Sequence, residues 1–173
     1  EENIISAIFN KLNSHMILCE KNTGQWSVKE INNIVIKEQE PYDFYKLPEG
    51  MPIMCTENNN EIGISNGDVG VLVGKKEKRR FLFRKFNKNN IPVVALIESI
   101  KLKSVIPAIA ITIHKSQGSE ANKVSILWNK KKESNEDNHL ESENINNFCK
   151  DEYEKRLLYT GITRAKRSLN IYI

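Results

Sequence analysis

Apolar positions group into amphipathic helices and buried strands at the two ends of the chain, and into short β-type runs in the middle. Ile4, Ile5, Ile8 and Leu12 share one helical face within Glu1–Asn13, and His15–Cys19 reads as a strand. Ser27 followed by Glu30 is a capping box, and Val28, Ile31, Ile34 and Val35 supply the stripe of a second helix that leaves Asn32 and Asn33 at or beside its exposed face. After the Pro/Gly-containing connection Pro41–Gly50, four short runs (Pro52–Thr56, Val69–Val73, Arg80–Phe86, Pro92–Ile97) alternate with turn-rich pieces. That spacing predicts a small barrel at about residues 50–104, inserted into an α/β domain made of 1–49 and 105–173.

The most informative stretch is Ala108–Glu120, where an apolar run breaks into Thr-Ile-His-Lys-Ser-Gln-Gly-Ser-Glu. Its apolar half lacks polar alternation, as expected of a strand covered on both faces in a parallel sheet. A polar loop at the carboxyl end of such a strand is a usual ligand site in open α/β folds. Lys123–Trp128 is another buried strand, and Asn129–Lys150, poor in apolar residues, is expected to be a mobile insertion without a packed core. Tyr153, Leu157, Leu158 and Ile162 give helical spacing over Asp151–Lys166, with acids leading and Arg164, Lys166 and Arg167 closing in line with the helix dipole. Ser168–Ile173 ends the chain as a strand.

Composition narrows the function classes modestly. A length of 173 residues with 39% hydrophobic content accommodates one full-sized domain plus a small insertion, and a net charge of +4 permits a nucleic-acid partner without demanding one. Three widely spaced cysteines argue against a disulfide framework or a zinc site and fit a reducing cytoplasm. No apolar run approaches the roughly 20 residues that span a bilayer, so no membrane partner is expected. The first residue is Glu1, not Met, and a start further upstream is expected.

The loop offers the Thr112 hydroxyl, the His114 imidazole, the Lys115 ammonium, the Gln117 amide, a permissive backbone at Gly118 and the Glu120 carboxylate, a set suited to phosphates and a ribose. An ordinary polar connection is the structural alternative. Arg164 alone reads as a helix-end residue, but paired with this loop it completes one wall of a nucleotide site, because a guanidinium meets phosphate oxygens bidentately and stays charged. Asn66-Gly67-Asp68 reads first as a tight turn and second as a binding residue at Asn66; Arg79–Phe86 reads as a half-buried strand with a basic face, or as a track for a nucleic-acid backbone. His15, at a strand edge, reads as solvated or structural. No Gly-x-x-x-x-Gly-Lys-Ser/Thr is present, and no Asp-Glu pair follows an apolar strand to hold Mg²⁺, so these residues alone are not expected to hydrolyse a nucleotide.

Thr112–Glu120 resembles motif V, and Arg156-Leu-Leu-Tyr-Thr-Gly-Ile-Thr-Arg-Ala-Lys166 resembles motif VI, of superfamily 1 DNA helicases. The wording Ser116-Gln-Gly-Ser-Glu120, and Asn66-Gly-Asp-Val-Gly70 preceded by Met51–Asn58, resemble the RecD-like branch, the alpha subunit of exodeoxyribonuclease V. The resemblance implies a RecA-like parallel sheet of the P-loop NTPase type (domain 2A) without Walker motifs, carrying an SH3-like barrel (2B). It implies Arg164 as the γ-phosphate arginine, Gln117, Gly118 and Glu120 near the nucleotide, and Thr112, His114, Lys115, Ser116 and Asn66 facing DNA. ATP and Mg²⁺, held with a first motor domain, 5′→3′ polarity, single-stranded or duplex-end DNA, and RecB-like and RecC-like partner subunits are implied in the same way. Asn129–Lys150 is longer than the corresponding link of the family. Two readings compete with this one: a non-catalytic module binding single strands or a protein, and a stand-alone RecD-like or Tra-type helicase.

Overall fold

A computed structural model describes residues 2–37, 41–75, 78–86, 92–129 and 143–173. The chain divides into two compact units, Glu1–Val28 with Ile111–Ile173, and Lys29–Ala110.

The first unit is built on a four-stranded sheet of order β7-β1-β8-β9, from β1 (His15–Cys19), β7 (Ala110–Thr112), β8 (Ala121–Leu127) and β9 (Ala165–Tyr172). β1 pairs in parallel with β8, His15 opposite Lys123, and β8 pairs in parallel with β9, Ala121 opposite Ala165. Leu18, Cys19, Val124 and Ile126 are wholly buried, which is why these strands read as continuous apolar runs. α1 (Glu2–Leu12) precedes β1 and buries Phe9, whereas Ile4 of the expected stripe is exposed. α3 (Glu143–Ile162) leads into β9.

Two expectations are corrected here. The final helix ends at Ile162, so Arg164, Lys166 and Arg167 lie beyond it and no base stands in its last turn. Residues 143–150, placed by sequence in the Asn129–Lys150 insertion and outside the final helix, form the start of α3; residues 130–142 of that insertion lie outside the described residues.

The second unit contains an antiparallel sheet of order β5-β4-β3-β2-β6, formed by β2 (Pro52–Cys55), β3 (Val69–Val73), β4 (Arg80–Phe86), β5 (Pro92–Glu98) and β6 (Val105–Pro107). The period of two expected for Arg80–Phe86 is realised in part: Phe81 and Phe83 enter the core with Ile53, Leu72, Ile97 and Val105, and Arg80 and Arg84 are exposed, but Leu82, expected on the outer face with them, is buried at 6% exposure. Gly70 is required at its place, because a Cβ there would stand 2.6 Å from the Leu82 carbonyl oxygen. Gly67, at φ +94°, takes the left-handed position of a 65–68 turn closed by the Asp68 N–H on the Ser65 carbonyl.

This unit is wider than the 50–104 drawn from sequence. Ile36, Tyr42, Phe44 and Leu47 pack into its core, Phe44 edge-on to Phe81 with ring centroids 5.4 Å apart. The unit also takes in Val105–Pro107, grouped by sequence with the α/β domain: it is β6 of the antiparallel sheet, while the apolar start of Ala108–Glu120 gives β7 of the parallel one, with Ala108 and Ile109 between them.

Asn32 is the second correction to the helical pattern. It lies on α2 (Val28–Ile36) and is 3% exposed, while Ile34, placed in the apolar stripe, is 64% exposed. The Asn32 amide donates to the carbonyls of Pro107 (3.2 Å) and Ala110 (3.3 Å) and accepts from the Ala110 N–H (3.0 Å). The backbone between the two strands has polar groups that neither sheet can satisfy, and this side chain satisfies them.

Candidate functional site

The polar loop begins at the carboxyl end of β7 and leads to another strand, as expected. A 3-10 turn, His114–Ser116, is followed by Gln117–Glu120, which delivers the chain to the amino end of β8. Arg164 stands just before the amino end of β9. Because Ala121 and Ala165 are register partners, and the Ala121 N–H donates to the Arg164 carbonyl at 3.0 Å, the ends of the loop and of the α3–β9 turn lie side by side.

Their side chains meet as well. Arg164 Nε donates to the Thr160 carbonyl at 3.0 Å, Nη2 to the Thr163 hydroxyl at 2.9 Å and Nη1 to the Ser119 carbonyl at 3.4 Å. Lys166 Nζ lies 3.0 Å from Glu120 Oε2, both side chains about half exposed. Gly118, exposed and at φ +82°, gives the turn its left-handed step, and a Cβ there would meet nothing within 4 Å. Gln117 is exposed beside it.

The helix is brought to this position by Gly161. A Cβ at 161 would stand 3.0 Å from Ile126 Cδ1 and 3.4 Å from Ile113 Cδ1, so the absence of a side chain lets α3 seat closely on the sheet.

The residues expected to face DNA separate into two groups. His114 is exposed and Lys115 partly so. Ser116 is not available: it is 0% exposed and its hydroxyl donates to the Ile113 carbonyl at 2.6 Å, tightening the 3-10 turn. Thr112 is 7% exposed, and its hydroxyl accepts the Lys115 N–H at 3.3 Å. Small hydroxyl residues in a loop serve the backbone as readily as a ligand, and their sequence gives no means of separating the two. Asn66 sits in the second unit, exposed on the 65–68 turn, with its N–H on Asn58 Oδ1 at 2.8 Å.

Sequence reasoning passed over Tyr153, Thr163 and Gly161. Tyr153 had been counted only as part of an apolar stripe, yet its hydroxyl lies 2.7 Å from His114 Nε2. His15, expected to be solvated or structural, is exposed, with its Nε2 2.9 Å from the Ser125 hydroxyl. Its pKa is lowered from 6.5 by burial first and by the Lys123 charge second. No group of three or more potential metal ligands occurs among the described residues.

No protein-family model matches the chain. The RecBCD enzyme subunit RecD of Buchnera aphidicola subsp. Schizaphis graminum is 33% identical over 186 aligned positions, which cover 99% of this chain and 27% of that protein. RecBCD enzyme subunit RecD of Haemophilus influenzae is 29% identical, over 97% of this chain and 22% of that protein. Along nearly its whole length this chain is similar to RecD subunits. It spans about a quarter of the length of the curated relatives it matches. Among solved structures, the Pif1 helicase from Bacteroides, in complex with ADP-AlF3 and ssDNA, matches 93% of this chain and 41% of its own, with a TM-score of 0.50 at 19% identity. The shared fold is the RecA-like one, a parallel sheet with helices, and the antiparallel sheet of this chain fits an inserted small β domain.

Proposed function

We propose that this chain is the second motor domain of an ATP-dependent DNA helicase with 5′→3′ polarity, working as the RecD subunit of an exodeoxyribonuclease V-type complex. In that reading 1–49 and 105–173 belong to domain 2A and 50–104 to an SH3-like 2B barrel. The complex, formed with RecB-like and RecC-like subunits in the cytoplasm, unwinds broken duplex ends for recombinational repair. The observation that carries the reading is the Arg164–Ser119 hydrogen bond, which joins the motif V loop to the motif VI turn in one patch.

Within that patch Arg164 is the residue that meets the γ-phosphate of ATP. Its three acceptors are two carbonyls and a hydroxyl, none of them charged, so they hold the fork in place without neutralising it. In related nucleotide hydrolases an arginine finger accounts for roughly 10³ to 10⁵ in rate. Gln117, Gly118 and Glu120 form the adjoining wall, with the Glu120 carboxylate available to a ribose hydroxyl once Lys166 yields it. ATP with its Mg²⁺ supplies the phosphoanhydride and the metal charge, and Walker residues outside these 173 positions would hold both. His114 and Lys115, at the other end of the same loop, face a single strand. One short loop then serves both ligands, a direct route by which nucleotide state is passed to the DNA grip.

The test uses the full-length protein. Arg164→Ala is expected to abolish DNA-stimulated ATPase while leaving single-strand affinity unchanged. ATPase at the wild-type level in that variant overturns the assignment.

A further inference from the structure

His114 and Tyr153 stand on two elements, the 3-10 turn after β7 and the middle of α3. Their polar atoms are 2.7 Å apart, and their rings lie 6.1 Å apart at 34°. The contact uses Nε2 and leaves Nδ1 without a hydrogen-bond partner among the described residues. Both side chains are exposed, so neither is held by a surrounding core.

A neutral imidazole carries one proton, and a phenol, which is a better donor than acceptor, favours the tautomer whose bare Nε2 accepts from it. When a phenol donates to Nε2, the proton must be on Nδ1, and Nδ1 becomes an N–H donor. When nothing donates to Nε2, the ring is free to present a bare Nδ1 lone pair, which repels a phosphate oxygen. We propose that Tyr153 is a positioning residue for nucleic-acid binding: its hydroxyl fixes the His114 tautomer so that Nδ1–H donates to a phosphodiester oxygen of a single strand. The inference rests on the reading above that His114 faces DNA.

The test is a set of single-strand titrations with an oligo-dT probe on the full-length protein, read as Kd and as the DNA-stimulated ATPase. Tyr153→Phe keeps the ring and removes one hydrogen bond, so Kd is expected to rise roughly two- to tenfold, the range of one net hydrogen bond, with kcat at saturating DNA unchanged. Adding Tyr153→Phe to His114→Ala is expected to change nothing further, because the group it orients is gone. His114→Asn carries an amide N–H in place of Nδ1–H and has no tautomer to set, so in that background too Tyr153→Phe is expected to be silent. A Kd unchanged by Tyr153→Phe alone overturns the proposal, as does a loss that persists in either His114 background. If the wild-type protein has no DNA-stimulated ATPase, the helicase reading falls with it; if that activity is present and only the Tyr153 pattern fails, this inference falls alone.

Discussion

Arg164 holds the carbonyl oxygen of Ser119 at 3.4 Å across the ends of two neighbouring strands, and the same guanidinium holds Thr160 and Thr163. Three acceptors in different directions require a planar fork, which lysine does not have. Arg164→Lys is therefore expected to retain single-strand affinity but to lose roughly 10- to 1000-fold in DNA-stimulated kcat, a large part of what a finger supplies. Steady-state ATPase of the full-length variant at saturating DNA measures it; a kcat within twofold of wild type would show that charge alone suffices.

Ser116 separates a structural role from a DNA-contacting one. Its buried hydroxyl serves Ile113, so Ser116→Ala is expected to lower stability by about 1 kcal/mol. Single-strand Kd should move little, in contrast to Lys115→Ala, which removes a cation. Parallel urea melts and DNA titrations of the two variants decide the matter.

Asn32 is expected to be the most sensitive polar position of the second unit. Asn32→Leu leaves the Ala110 N–H and two carbonyls without the amide, a loss of about 2–4 kcal/mol by chemical denaturation. Asn32→Asp should be worse than its near-identical shape suggests, since a carboxylate keeps the bond to Ala110 N–H but faces both carbonyls with negative charge. An Asn32→Asp variant as stable as wild type would contradict the clamp.

The lowered pKa of His15 sets a direction for pH dependence. The unfolded chain takes up this proton first as pH falls through 6.5, so the His15 contribution is fully present above that pH and is lost below it. His15→Gln removes the titration, and the variant should lose less stability than wild type between pH 7.5 and pH 5.5. Urea midpoints at the two pH values read the difference; an equal acid loss in both proteins would assign it to other groups.

Much of the secondary structure was legible because strands announce themselves locally. His15–Cys19, Val69–Val73 and Arg80–Phe86 have the bounds their apolar runs suggest, and the burial of Phe81 and Phe83 follows from alternation alone. What a run cannot disclose is the sheet it joins: Val105–Pro107, grouped by sequence with the α/β domain, lies instead in the antiparallel sheet. Nor does periodicity foresee a tertiary demand for hydrogen bonds, which pulled Asn32 inward and left Ile34 outside. In the candidate site, Arg164, Gly118 and Glu120 were readable as chemistry. The burial of Ser116 and the contact of Tyr153 with His114 are not legible in that way, because both depend on which atom lies opposite, a fact of three dimensions.

Glu120 immediately precedes β8 and Arg164 immediately precedes β9, on strands locked in register at Ala121 and Ala165. Adjacent strands lie about 4.8 Å apart whatever their sequence. The interval between the carboxylate and the guanidinium is thus ruled by the sheet, like two marks on a gauge, and owes nothing to the length of chain that runs from Leu127 to α3. That connection is free to lengthen in one lineage and shorten in another without disturbing the gap into which a nucleotide would have to fit.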